Sequence, residues 1–153
     1  MKNTQKGRSM VEMLGVLAII GVLSVGGIAG YTVAMNRYRA NQILDMASKL
    51  AVIAQTANSG AGGVACVGTG CAAGTDTGMV WSATGGVTSL TADATANNAG
   101  GTDTVTVTLG GNVNEKVQAA MENIAGTTAE GDTSGVYTKP VTVQGDNIIV
   151  KTN

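Results

Sequence analysis

The sequence predicts an α+β fold in which one long N-terminal helix packs against a small antiparallel β-sheet. Residues 13–30 form an apolar run without a single charge, and apolar residues then recur at helical spacing to about residue 57. Beyond that point, a stretch that alternates threonine with valine is typical of a half-buried strand. With 153 residues, 3% aromatics and 23 glycines, the chain has material for a small head rather than a large core.

The apolar run is long enough to cross a membrane. A spanning helix needs roughly 20 residues, and residues 10–31 supply them. Three basic residues, Lys2, Lys6 and Arg8, precede the run, whereas the chain from residue 58 onward carries three bases against eight acids. Because basic residues before an apolar helix stay cytoplasmic, we expect a cytoplasmic N-terminus and an exported remainder.

A cleaved secretory signal is the alternative interpretation of the same run. Such signals have a shorter apolar region that ends at a small-residue cleavage site. Ser24, Ala29 and Gly30 are small, but no clear Ala-x-Ala boundary follows the run. We therefore place an uncleaved signal anchor first and a cleaved secretory signal second.

Glu12 is the one acid near the start of the apolar run. A carboxylate without a partner at membrane depth costs roughly 2.5 kcal/mol or more, so such residues mark functional sites. The alternative explanation of Glu12 is an acid whose side chain snorkels to the membrane surface. An inert anchor, however, gives Glu12 no task, and the position therefore calls for a cationic partner.

The segment KGRSMVEMLGVLAIIGVL resembles the class III signal of type IV pilins and of the related pseudopilins. In that family a short basic leader ends in glycine, a prepilin peptidase cuts after it and methylates the new amine, and the fifth residue of the mature chain is glutamate. Gly7 matches the leader end, Arg8 the new N-terminus and Glu12 the acid. The resemblance covers about the first third of the chain.

The resemblance implies a division into three parts: a leader (1–7), a long helix (8–57) and a small α+β head (58–153). The segment from about residue 10 to residue 31 would then span the membrane in the precursor and form the core of the fibre. The family's subunits form helical homopolymers, with a cytoplasmic assembly ATPase and an inner-membrane platform protein as further partners. The precursor would reside in the bacterial inner membrane, and the assembled pilus outside the cell.

Two features depart from the family pattern. The first mature residue is usually apolar, whereas here it is Arg8, which leaves N-terminal methylation at this residue an open question. The family's common mid-helix proline is absent, and the helix instead carries glycines that include Gly26, Gly27 and Gly30. These glycines either soften the helix, since each costs about 1 kcal/mol relative to alanine, or allow close helix packing.

The amphipathic half of the helix follows the apolar run. Its apolar residues fall at offsets of 0, 1, 4, 7, 8 and 11, which places them on one helical face: Ile43, Leu44, Ala47, Leu50, Ala51 and Ala54. Asp45 and Lys49 lie four residues apart in the favourable order for an ion pair. We expect this face to pack against the head.

The head begins with residues 59–78, which are rich in glycine, alanine and threonine and predict a loop. Cys66 and Cys71 are the only cysteines, and in an exported head we expect them to form a disulfide. A metal site is disfavoured because the chain has no histidine, and a redox pair because the spacing is not Cys-x-x-Cys.

Further along the head, residues 79–83 (MVWSA) are interpreted as a strand with Trp81 as a packing anchor, and residues 104–109 (TVTVTL) as a second strand. Residues 112–126 predict a helix, with Val113, Val117, Met121 and Ile124 on one face and Gly126 as a stop. The C-terminal residues predict two strands about a QGDN turn, with Pro140 at a strand start or edge.

An enzyme is not predicted. The chain has no histidine for a triad and no phosphate-binding glycine loop, and its acidic head is a poor nucleic-acid binder. Asp132 and Asp146 could bind calcium, but the sequence around them contains no complete calcium-binding loop. We therefore expect no cofactor or metal.

Three functions fit these features. The first is the major structural pilin of a type IV pilus, the second a pseudopilin of a type II secretion system, and the third an uncleaved, membrane-anchored envelope protein that binds a soluble partner. We place the pilin first because the Pro- and Trp-containing head motif expected of the major pseudopilin is not evident.

Overall fold

The computed structural model describes residues 5–57, 63–94, 104–126 and 141–151, and it confirms the predicted α+β fold. The chain divides into two compact units, Met1–Met35 and Asn36–Asn153. The elements in chain order are α1 (Gln5–Thr56), β1 (Val64–Gly68), β2 (Val87–Asp93), β3 (Thr104–Gly111), α2 (Glu115–Ala125), β4 (Val141–Gln144) and β5 (Asn147–Lys151).

Helix α1 begins three residues before the start at Arg8 that the family resemblance implies, and it ends at Thr56. Its second half buries the predicted apolar face, which Ala40 extends by one position: Ala40, Ile43, Leu44, Ala47, Leu50, Ala51 and Ala54. Four of these seven residues are alanines, so much of the buried face is made of short side chains. Burial of this face, more than helix propensity, stabilises this part of α1.

The head is built on one five-stranded sheet in the order β1-β2-β3-β5-β4, with every neighbouring pair antiparallel. β1 and β4 are therefore the two edge strands. Alternate residues of β3, among them Val105, Val107 and Leu109, are buried in the core, as the alternating sequence predicted. The predicted strand over residues 104–109 is confirmed and extends to Gly111.

Helix α2 confirms the helix predicted after β3. The Asn114 side chain caps its first turn by accepting a hydrogen bond from the backbone N–H of Lys116 at 3.0 Å. Gly126 ends the helix with a positive φ of 96°, and its N–H donates to the carbonyl of Glu122. The buried residues are Val117, Met121 and Ala125, whereas Ile124, which was placed on the buried face, is 41% exposed.

The C-terminal residues form the predicted hairpin. β4 and β5 pair through a turn at Gly145 and Asp146, and Gln144 pairs with Asn147 at its base. Gly145 has a φ of 58°, a left-handed conformation that glycine adopts without strain. Pro140, the predicted strand start, lies outside the described residues.

Two predictions in the first half of the head are wrong. Residues 64–68, which were assigned to a loop, form β1, and residues 87–93, which carried no prediction, form β2. Residues 79–83 are not a strand but an irregular segment between isolated bridges at Asp76 and Thr84. Met79 and Trp81 pack on the core while Val80 points outward, so the segment has strand-like alternation without sheet pairing.

Candidate functional site

The apolar half of α1 exposes its hydrophobic side chains all round the helix. Large hydrophobic residues from Met10 to Val33 are between 52% and 75% exposed, on every side of the helix. By length and composition this helix could cross a membrane. A continuous apolar surface of this extent on one protein marks a membrane or protein contact. The unit Met1–Met35 therefore exposes a hydrophobic surface, whereas the unit Asn36–Asn153 has a buried hydrophobic core.

Gly7 and Arg8, the predicted cleavage position, both lie within the backbone of α1. Glu12 follows Arg8 by four residues on the same helix, and residues at this spacing are neighbours on one helix face. Glu12 has an interaction partner within this chain. The helix backbone thus places residue 8 and Glu12 on one face, the arrangement that the predicted pairing requires.

Gly26, Gly27 and Gly30 lie in the same exposed half of α1. A Cβ atom added at any of the three would meet no atom within 4 Å outside the local helix backbone. None of these three glycines has a positive φ. No close contact within this chain therefore requires glycine at these positions. Helix flexibility and packing against other molecules remain the predicted uses.

Cys66 and Cys71 form the predicted disulfide, with a Cα–Cα distance of 5.6 Å. Cys66 lies in β1 and is buried, and the bridge ties this edge strand to the turn that follows it. The backbone N–H of Thr77 donates to the carbonyl of Cys66 at 3.0 Å, so the next segment of chain is attached to the same strand. The chain is therefore attached to β1 at Thr77, just before the irregular segment at residues 79–83.

An apolar groove of about 340 Å³ lies beside the opposite edge of the sheet. The described residues of its walls belong to α1, to the last turn of α2 and to the start of β4: Asn41, Leu44, Asp45, Ser48, Ile124, Ala125 and Val141. The Asp45 carboxylate accepts a hydrogen bond from Lys49 Nζ at 2.6 Å, as the spacing predicted. Lys49 therefore offsets the charge of Asp45, the one charged side chain among the described wall residues.

Among the described residues, no group of three or more metal-ligating side chains comes together. Asp146 lies in the turn between β4 and β5, and Asp132, the other residue considered for calcium, lies outside the described residues.

Comparison with the models of known protein families, with characterised proteins and with solved structures finds no match to this chain. Of the predicted site residues, Glu12 and the helix glycines lie in the apolar unit and the disulfide in the head. Sequence reasoning missed the groove, because three separate elements form its walls. It also missed Val80 as an outward-facing residue, although a valine between Met79 and Trp81 was a usable signal.

Proposed function

We propose that this chain is the major structural subunit of a type IV pilus. The observation that carries the proposal is the exposed apolar half of α1 with an acid, Glu12, close to its start. In the precursor this half spans the bacterial inner membrane, and in the fibre the same surface packs against other copies. The compact head, which has its own core, is the part that faces the medium.

Glu12 sets the axial register of the subunits. Cleavage after Gly7 creates a positively charged α-amine at Arg8, four residues before the acid. The amine of an incoming subunit pairs with the Glu12 carboxylate of a subunit already in the fibre. In apolar surroundings this attraction is weakly screened, and a copy shifted along the fibre leaves both charges buried without partners.

The subunit is a building unit rather than an enzyme. Its partners are other copies of itself, the prepilin peptidase that removes residues 1–7, and the inner-membrane platform protein and assembly ATPase. The sequence of the head is poor in charge and rich in threonine, glycine and alanine, a composition that suits a repeated and exposed fibre wall.

Mass spectrometry of fibres sheared from the cell surface tests the proposal. We expect a subunit that begins at Arg8 and retains the Cys66–Cys71 disulfide. Membrane-bound protein that still begins at Met1, with no surface fibre, would instead identify an uncleaved envelope anchor. A processed subunit confined to the envelope and required for the export of folded proteins would identify a pseudopilin.

Replacement of the acid gives the largest effect that we predict on assembly. Glu12→Gln keeps the length of the side chain but removes its charge, so the new amine loses its partner and surface fibres are expected to be lost. Precursor level and membrane insertion should remain as in the wild type, as immunoblots of membrane fractions would show. Glu115→Gln, which removes an exposed acid from the head, is the matched control and should leave fibres intact.

A further inference from the structure

The head carries an exposed apolar projection at one edge of its sheet. Val80 is 92% exposed, the highest value among the large hydrophobic residues that the structure describes. Its two neighbours, Met79 and Trp81, pack against the core and hold the segment in place. The indole N–H of Trp81 also donates to the carbonyl of Val87 at 3.3 Å. Val80 is thus a fixed projection rather than one apolar residue in a loose loop.

The apolar groove beside β4 is the counterpart of this projection. The Val80 segment is attached to β1 through the bond from Thr77 to Cys66, and the groove includes Val141 of β4. β1 and β4 are opposite edges of the sheet. Four strand spacings separate them, or about 19 Å, so a chain cannot place its own Val80 in its own groove.

We propose that Val80 of one copy inserts into the groove of a second copy, between Leu44 and Ile124. The contact joins different surfaces of the two copies and leaves a free projection at one end and a free groove at the other. Such a contact can repeat from copy to copy, and it generates an open filament when its rotation does not close a ring. This proposal rests on the proposed function, because it names the partner of the head within the fibre.

A second copy fits the groove better than a soluble partner does. One valine in a groove of about 340 Å³ is far smaller than the interface that holds two free proteins together. Copies that are already joined through α1 hold their heads at high effective concentration, so a small contact suffices. Lys49, which pairs with Asp45 beside the groove, also offsets the charge of that acid toward the acidic Asp76 near the projection.

Paired cysteines test the contact directly. Both natural cysteines are joined to each other, so introduced thiols have no native thiol with which to react. Ser48→Cys is close to isosteric in the groove wall and Val80→Cys replaces the projection. The full-length double variant should give a ladder of disulfide-linked multimers on non-reducing gels, from both membranes and sheared fibres, and the ladder should vanish with reductant.

The control pair is Val80→Cys with Ala119→Cys. Ala119 is exposed on α2 and lies about 140° around the helix axis from Ile124, the α2 residue at the proposed contact. We expect no ladder from this pair or from the single variants. Equal ladders from both pairs, no ladder from the groove pair, or adducts of the groove thiol with another protein would each overturn the proposal.

A charge at the projection provides the second measurement. Val80→Asp should lower the yield of sheared fibres by about tenfold, since truncation of a buried contact residue costs more than 1 kcal/mol. Ala119→Asp, at the exposed α2 position that lies outside the projection and the groove, is the control. Equal fibre yields from the two variants would contradict the contact.

The two proposals fail in different ways. Fibres that require Glu12 but show no groove ladder would overturn the head contact and leave the pilin assignment in place. A wild-type chain that forms no fibres overturns the pilin assignment, and the ladder in the membrane fraction still decides whether heads associate.

Discussion

The glycines of the apolar half of α1 and those of the head obey different constraints. In the helix, Cβ atoms added at Gly26 and Gly27 meet nothing within 4 Å. In the head, Gly86 has a φ of 92°, and an added Cβ would collide with the carbonyl oxygen of Asn112. The backbone of the head therefore requires glycine at Gly86, whereas no contact seen within the chain requires glycine at Gly26 or Gly27.

Gly86→Ala should have the largest effect on stability. Both the positive φ and the overlap with Asn112 oppose a methyl group, and we expect a loss of about 4 kcal/mol in the free energy of unfolding. Guanidinium unfolding of the detergent-solubilised chain, followed by the fluorescence of Trp81, the single tryptophan, measures it. Gly70→Ala is the control, because Gly70 has a φ of 90° but open space around it. Equal losses of unfolding free energy at Gly70 and Gly86 would show that the overlap with Asn112 contributes nothing to the effect.

Leu50→Ala tests whether the amphipathic half of α1 belongs to the core of the head. Leu50 is fully buried, and its truncation should lower the free energy of unfolding by about 3 kcal/mol in the same assay. Val52→Ala, two residues away but exposed, should change it by less than about 0.5 kcal/mol. Similar values for the two variants would mean that this half of α1 is not a core element.

Removal of the disulfide comes next in size. The double variant Cys66→Ala, Cys71→Ala opens a ring of only a few residues, so we expect a loss of about 2 kcal/mol. In the presence of reductant the wild type and the variant should unfold at nearly the same denaturant concentration. A difference that persists in reductant would assign the effect to the buried Cys66 side chain instead.

Gly27→Ala completes the comparison with the smallest effect on the head. Nothing in the chain occupies the space that the methyl group enters, and alanine favours a helix by about 1 kcal/mol. Trp81 fluorescence should therefore report head unfolding within about 0.5 kcal/mol of the wild type. If fibre yield falls while the head is unchanged, the glycine serves contacts between copies or bending of α1, and an unchanged yield would exclude both uses.

Much of the fold could be predicted because its signals are local. The long helix, the strand at Thr104, helix α2 and the final hairpin each carry periodicity, a cap or a turn within a few residues. β1 and β2 carry no such signal, since VACVG and VTSLTAD are short and made largely of small residues. They become strands only because Val67 pairs with Leu90 and Leu90 with Leu109, contacts between distant parts of the sequence.

The candidate site divides along the same line. The spacing of Gly7, Arg8 and Glu12 and the pairing of two lone cysteines can be read from the sequence alone. The groove cannot, because Ser48, Ile124 and Val141 are brought together only by the packing of two helices on the edge of the sheet. Motifs whose residues lie close together in the sequence could therefore be predicted, whereas a surface formed by residues from separate elements could not.

The core of the head includes α1 from Ala40 to Ala54, and this has a practical consequence. A water-soluble truncation made for crystallisation must keep the second half of the helix and begin near Asn36, at the boundary between the two units. A truncation that starts after Thr56 would remove the α1 residues of the core and expose the hydrophobic side chains that they cover. A protease that sheds the head intact must likewise cut before Ala40.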